Sequence, residues 1–160
     1  MKRPSYGRKD RLIKQKRDDV YQTRQKLAEP TVCSACGAVF MGGRWSWAEP
    51  PREANPAICP ACRRIADNYP AGYLEIRGSF FNEHRDEILG LIHNVEEQEK
   101  ARHPLERIMS ITDGAGMTSV TTTGIHVARR IGEALARSYK GDFSFQYGEG
   151  RKTITIHWTR

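Results

Sequence analysis

Two matched C-x-x-C turns, Cys33-Ser34-Ala35-Cys36 and Cys59-Pro60-Ala61-Cys62, contain every cysteine of the chain and are separated by 22 residues. A turn of this kind presents two thiolates from one tight loop, and two such turns supply the four soft ligands of a tetrahedral zinc ion. Ser34, Ala35, Ala61 and the following Gly37 are small enough for the cramped backbone this requires. The pattern predicts a closed zinc ribbon over residues 31–70, with one structural Zn2+ held by Cys33, Cys36, Cys59 and Cys62. Two disulfides are the competing reading in an oxidising compartment, and a thioredoxin-type redox centre is a third. The N-terminal Met-Lys-Arg-Pro-Ser-Tyr has no apolar stretch of the kind a signal peptide needs, so the expected location is cytoplasmic. A redox motif needs only one pair.

The expected zinc is structural rather than catalytic. A catalytic zinc keeps one position open for water. Here all four ligands are cysteine, and the five histidines (His84, His93, His103, His126, His157) lie downstream of the turns. The zinc-deaminase pattern needs H-x-E ahead of P-C-x-x-C, but Val32 and Ile58 precede the two turns and no H-x-E lies upstream. No G-x-S-x-G elbow or phosphate-binding G-x-x-x-x-G-K-[ST] loop is present. Thr121-Thr122-Thr123-Gly124 reads as a strand end followed by a helix cap. The expectation is a non-enzymatic protein with no small-molecule substrate.

Charge adds the second constraint. The formal net charge is +7, yet residues 1–30 carry ten Lys/Arg against four Asp/Glu, and the remainder is close to balanced at sixteen against fifteen. A basic N-terminal arm of this kind is an electrostatic footprint for polyanions, nucleic acid above all. Residues 10–27 lack Gly and Pro, and Ile13, Val20 and Leu27 form one narrow stripe, so a thinly docked basic helix is expected. Arg3, Arg8, Lys9, Arg11, Lys14, Lys16, Arg17 and Arg24 are the candidate phosphate contacts of the arm. Arg44, Arg52, Arg63 and Arg64 extend the set into the ribbon. Trp45 and Trp47 alternate and so share a face, where they either cover the metal site or offer indoles to bases.

Residues 71–160 predict a compact α+β domain with element order β-α-β-β-α-β-β, an antiparallel sheet with two helices on one face. Residues 73–81 alternate, with Leu74, Ile76 and Phe80 on one side. A helix follows from 82 to about 102, with Asn82 as N-cap and Ile88, Leu91, Ile92 and Val95 on its apolar face. Its end, Glu96-Glu97-Gln98-Glu99-Lys100, lacks an apolar stripe and reads as a solvated extension past the core. Strands near 106–112 and 117–122 flank Asp113-Gly114-Ala115-Gly116, and a helix over 125–139 starts from Thr123 as N-cap. Gly132 in its buried arc points to close approach of a sheet. A hairpin of 142–147 and 152–158 closes the domain, with Phe143, Phe145 and Tyr147 directed at the core. Tyr73, Arg77, Ser144, Gln146, Thr153, Thr155 and His157 fall on the opposite, polar face. Lys140-Gly141-Asp142-Phe143 begins like an RNA-recognition signature, but its aromatics are one residue out of register, which turns them to the other face.

The paired knuckles are followed by Tyr69-Pro70-Ala71-Gly72-Tyr73-Leu74-Glu75-Ile76-Arg77-Gly78 and then by Val120-Thr121-Thr122-Thr123-Gly124-Ile125-His126-Val127-Ala128-Arg129-Arg130-Ile131. In this order the segments resemble the archaeal and eukaryotic large-ribosomal-subunit export adaptors, a family named after nonsense-mediated mRNA decay. The chain is more similar still to short stand-alone bacterial proteins of that type. The resemblance spans roughly residues 31–158 and implies a zinc-stabilised protein that contacts ribosomal RNA on the large subunit, with the four cysteines at zinc-ligand positions. The larger relatives carry more cysteines, additional β-barrel domains and a transport tail, so nuclear export is not implied. The expected function is RNA binding on the ribosome, in assembly, translation or dormancy. A protein–protein adaptor and a DNA-binding regulator are the alternatives.

Overall fold

The computed structural model describes Tyr21 and residues 27–160, so the expected basic arm over residues 1–30, with its candidate contacts, lies almost wholly outside the described residues. The chain is α+β and builds two sheets. The first belongs to the cysteine ribbon and has strand order β3-β2-β1-β4, from β1 (Thr31–Cys33), β2 (Val39–Met41), β3 (Arg44–Ser46) and β4 (Asn55–Ala57). Gly42 and Gly43 both take positive φ, 64° and 77°, which lets a two-residue turn join β2 to β3. Helix α1 (Pro60–Asp67) opens on a proline and ends at Asn68 in the left-handed conformation, a normal start and stop.

The second sheet is built from β5 (Gly72–Arg77), β6 (Ile108–Gly114), β7 (Met117–Thr122), β8 (Asp142–Tyr147) and β9 (Ile154–Thr159), in the order β6-β7-β5-β9-β8. Every neighbouring pair is antiparallel except β5 with β9, which runs parallel. Helices α2 (Ser79–Glu83), α3 (Arg85–Arg102) and α4 (Ile125–Tyr139) accompany it. The core closes Leu74, Ile76, Ile156 and Trp158 of the sheet against Ile88, Ile92, Ile131 and Leu135 of α3 and α4. Trp158 is fully buried, and its indole N–H donates to the Lys140 carbonyl at 2.7 Å.

Gly132 lies where a glycine is needed: a Cβ there would stand 2.6 Å from the Phe143 ring and 3.0 Å from Ile156. Three boundaries differ from the sequence expectation. The first strand stops at Arg77, because Gly78 turns at φ 115° against the Arg160 backbone, and Phe80 therefore sits on α2 rather than on the sheet. Asn82 lies inside α2 and caps nothing. Gly124, not Thr123, occupies the N-cap of α4; the Thr123 hydroxyl instead donates to the Leu105 carbonyl at 2.6 Å.

The three aromatics of β8 lie on the helix side, but β8 is an edge strand and α4 covers it incompletely. Phe145 stays 40% exposed and is roofed by the Arg129 guanidinium, 4.6 Å above its ring. Arg129 also donates to the Tyr147 hydroxyl at 2.7 Å. On the other side of the sheet, Tyr73, Arg77, Ser144, Gln146 and His157 are exposed, as the alternation predicts.

Candidate metal centre and the cleft beside it

The four cysteine sulfurs lie within 4.8 Å of one another, with Cys33 and Cys59 buried and Cys36 and Cys62 partly so. None is in a disulfide. Cys36 and Cys59 stand 3.8 Å apart, sulfur to sulfur. Tetrahedral zinc with sulfur ligands at about 2.3 Å implies an edge of about 3.8 Å, whereas a disulfide needs about 2 Å. The donor set therefore fits a metal ion.

Backbone geometry prepares the sulfurs for it. The Cys59 amide donates to the Cys33 sulfur at 3.3 Å, and the Cys62 amide to the Cys59 sulfur at 3.4 Å. Gly37, at φ 82°, brings its own amide to the Cys33 carbonyl at 2.9 Å and closes the first knuckle. Burial opposes ionisation of Cys33, but the surrounding amide donors outweigh it and hold the thiol down at about 6. Burial pushes Cys59 the other way, and the neighbouring sulfurs add to the shift. The two buried thiols of the cage thus differ in how readily they ionise.

A cation is already at hand. Arg107, on the loop before β6, is buried and donates from its guanidinium to Cys62 at 3.4 Å and to Cys36 and Cys59 at 3.3 Å each. Its Nε donates to the Pro104 carbonyl at 2.7 Å, and its backbone amide to the Thr123 hydroxyl at 2.9 Å. The sulfurs raise its already high pKa despite the opposing effect of burial. Four thiolates around a divalent ion carry net negative charge, which the guanidinium offsets from the second sheet's side. Sequence inspection missed Arg107. It lies 45 residues from Cys62 and 71 from Cys36, and no local pattern marks it.

The ribbon cations and tryptophans are dispersed around this centre. Trp45 packs on the cysteine cluster and tilts against Phe40, 5.4 Å between centroids. Trp47 instead reaches across to α3, donating its indole N–H to the Lys100 carbonyl at 2.6 Å. Arg44, Arg52 and Arg63 are exposed. Arg64 is buried: it donates to the Tyr69 carbonyl at 3.1 Å, and its guanidinium lies 4.5 Å from the Tyr21 ring. Tyr21 also stacks on Tyr69 and donates its hydroxyl to Asp67 at 2.9 Å. Position 21 is thereby fastened to α1.

The end of α3 is solvated at Glu97, Gln98 and Lys100, as its composition suggests, but not at Glu96 and Glu99. Glu96 accepts a hydrogen bond from the Ile108 amide, and Glu99 is only 7% exposed and pairs with Arg130 of α4 at 3.1 Å. The ribbon touches this end of the helix through Trp47, and the chain entering β6 through Ile108. Between them opens a cleft of about 510 Å³, walled by Arg44 and Trp45 of β3, by Glu99, and by His126 and Arg130 of α4. Leu105 and Glu106 complete it from the loop. The Glu106 carboxylate accepts from the Val127 amide at 3.0 Å, and Gly124 makes room for it, since a Cβ there would fall about 2 Å from the carboxyl oxygens. Burial raises the Glu106 pKa above the usual carboxylate range, against the lowering effect of that amide.

No described helix is long and apolar enough to cross a membrane. Comparisons with family models, with curated proteins and with solved structures found no match to this chain.

Proposed function

We propose that this is a non-enzymatic zinc protein of the cytoplasm that binds RNA, and that its target is ribosomal RNA on the large subunit. The observation that carries the reading is the concentration of positive charge: ten of the 26 Lys/Arg lie in the first 30 residues, whose far end is fastened through Tyr21 to the α1 face of the ribbon. An arm so anchored brings sequence-independent phosphate contacts beside a rigid body. Arg44, Arg52 and Arg63 are exposed on that body and can extend the track. The resemblance in the knuckles and in the segments 69–78 and 120–131 supports the ribosome as the place. Zinc is the favoured metal because a closed set of four thiolates matches its softness and geometry.

The test uses the full chain and a form lacking residues 1–20, which keeps Tyr21. If about six arm cations meet phosphates, the log–log slope of affinity for single-stranded RNA against salt should be about −4. The shortened form should lose most of that affinity while melting as before, and the full chain should sediment with large subunits in a ribonuclease-sensitive way. Equal affinity of the two forms would overturn the reading.

A second reading, a protein–protein adaptor, draws on the exposed polar sheet face around Tyr73, Arg77 and His157. It requires a partner retained in high salt and after nuclease treatment.

A further inference from the structure

We infer that the cleft between ribbon and domain is a binding site for a guanine nucleotide, taken either free or as one unstacked nucleotide of single-stranded RNA. The cleft, about 510 Å³, is of a size that admits one nucleotide. Its floor is Trp45, half-buried, with its underside resting on the cysteine cluster and its flank held by Phe40. An indole fixed in this way is a stacking platform for a planar base. Leu105, also packed on the cluster, continues the apolar floor.

The polar groups around the floor are specific. Glu99 is occupied by Arg130, but Glu106 commits one carboxylate oxygen to the Val127 amide and its other oxygen has no hydrogen-bond partner among the described residues. A poorly solvated carboxylate with free acceptor capacity gains most from a ligand offering adjacent N–H donors. Guanine presents such a pair on its Watson–Crick edge, from N1 and the exocyclic N2. Adenine and cytosine offer an exocyclic amine beside an acceptor, and uracil one N–H between two carbonyls. Arg44, exposed at the cleft, supplies a guanidinium for the phosphate, and Arg130, held to Glu99 through Nε, has further N–H groups to add to it. Glu106 thus meets the base and Arg44 the phosphate.

The RNA form of this inference rests on the RNA-binding reading above; the free-nucleotide form does not. The experiment titrates the intact protein with GMP, AMP and UMP, following tryptophan emission and heat. It also compares an all-uridine hexamer with one carrying a single central guanosine. GMP should quench emission and bind at least about tenfold more tightly than AMP or UMP. Glu106→Gln, which keeps an acceptor for the Val127 amide, should erase that preference without lowering the melting temperature. Arg44→Ala at the rim should weaken GMP but not guanosine. Equal responses to the three mononucleotides, or a preference untouched by Glu106→Gln, would overturn the inference. Hexamers bound without a guanosine preference, with GMP inert, would sink the cleft and leave the RNA-binding reading standing. GMP bound with both hexamers ignored would do the reverse.

Discussion

The guanidinium of Arg107 reaches the Cys59 sulfur at 3.3 Å, joining the α+β domain to the four-cysteine ribbon. The same guanidinium touches Cys36 and Cys62, so one side chain spans both knuckles. The ribbon has little core of its own, with Cys33, Ala38, Cys59 and Ala61 its buried cluster. Its order is therefore expected to depend on an ion held by the four sulfurs and on the arginine behind them.

Replacing that arginine tests the dependence directly. Arg107→Leu removes the cation facing several sulfurs in a buried seam, where breaking a charge pair costs about 3 kcal/mol. Chemical denaturation should show that loss, with the ribbon loosening first. Arg107→Lys should recover only part of it, since an ammonium is a point charge that cannot span both knuckles.

Metal content gives a second test. Elemental analysis should find one zinc per chain, and Cys59→Ser should abolish it. A strong chelator should expose the four thiols to alkylation and shift the emission of Trp45 and Trp47, while the buried Trp158 signal persists. Loss of all three signals together would mean that the two parts unfold as one.

Two glycines make opposite predictions for the same substitution. Gly132→Ala drives a methyl into the Phe143 ring and Ile156, and overpacking of this kind costs about 1–3 kcal/mol. Gly90→Ala, on the exposed side of α3 with nothing within 4 Å, should stabilise by about 0.5–1 kcal/mol. Thermal melts of the two variants should move in opposite directions.

Glu106 predicts the sign of a pH effect. Burial holds its folded pKa above the ordinary carboxylate range, so the folded chain keeps this proton more tightly than the unfolded chain. Its contribution to stability is therefore fullest below the unfolded pKa and is lost as pH rises through the folded one. Glu106→Gln does not titrate. Its melting temperature relative to the parent should rise as pH climbs upward from the ordinary carboxylate range. A constant difference would contradict the buried placement of the carboxyl.

Much of the second domain is legible from residue pattern. The apolar arc containing Ala128, Ile131 and Leu135 marks α4 over its full observed span, because one face of that helix meets a sheet throughout. Phe80 misleads for a physical reason: it continues the alternation of Leu74 and Ile76, but the backbone of Arg160 crowds Gly78 and turns the chain out of the sheet. Glu99 misleads similarly. It follows Ile92 and Val95 at helical spacing and so continues their buried face, but its charge disguises this, and Arg130 satisfies that charge.

While the pairing of β1 with β4 brings the two pairs of sulfurs together, local chemistry determined each pair, since a C-x-x-C turn places two of them within four residues. The same holds for the concentration of charge in the arm, a matter of composition. Only tertiary structure decided what stands against those sulfurs and what lies open beside them. The contacts of Arg107, Glu99 and Glu106 form between segments far apart in the chain: packing of ribbon on domain places the first, and packing of α4 on α3 and on the loop before β6 places the other two.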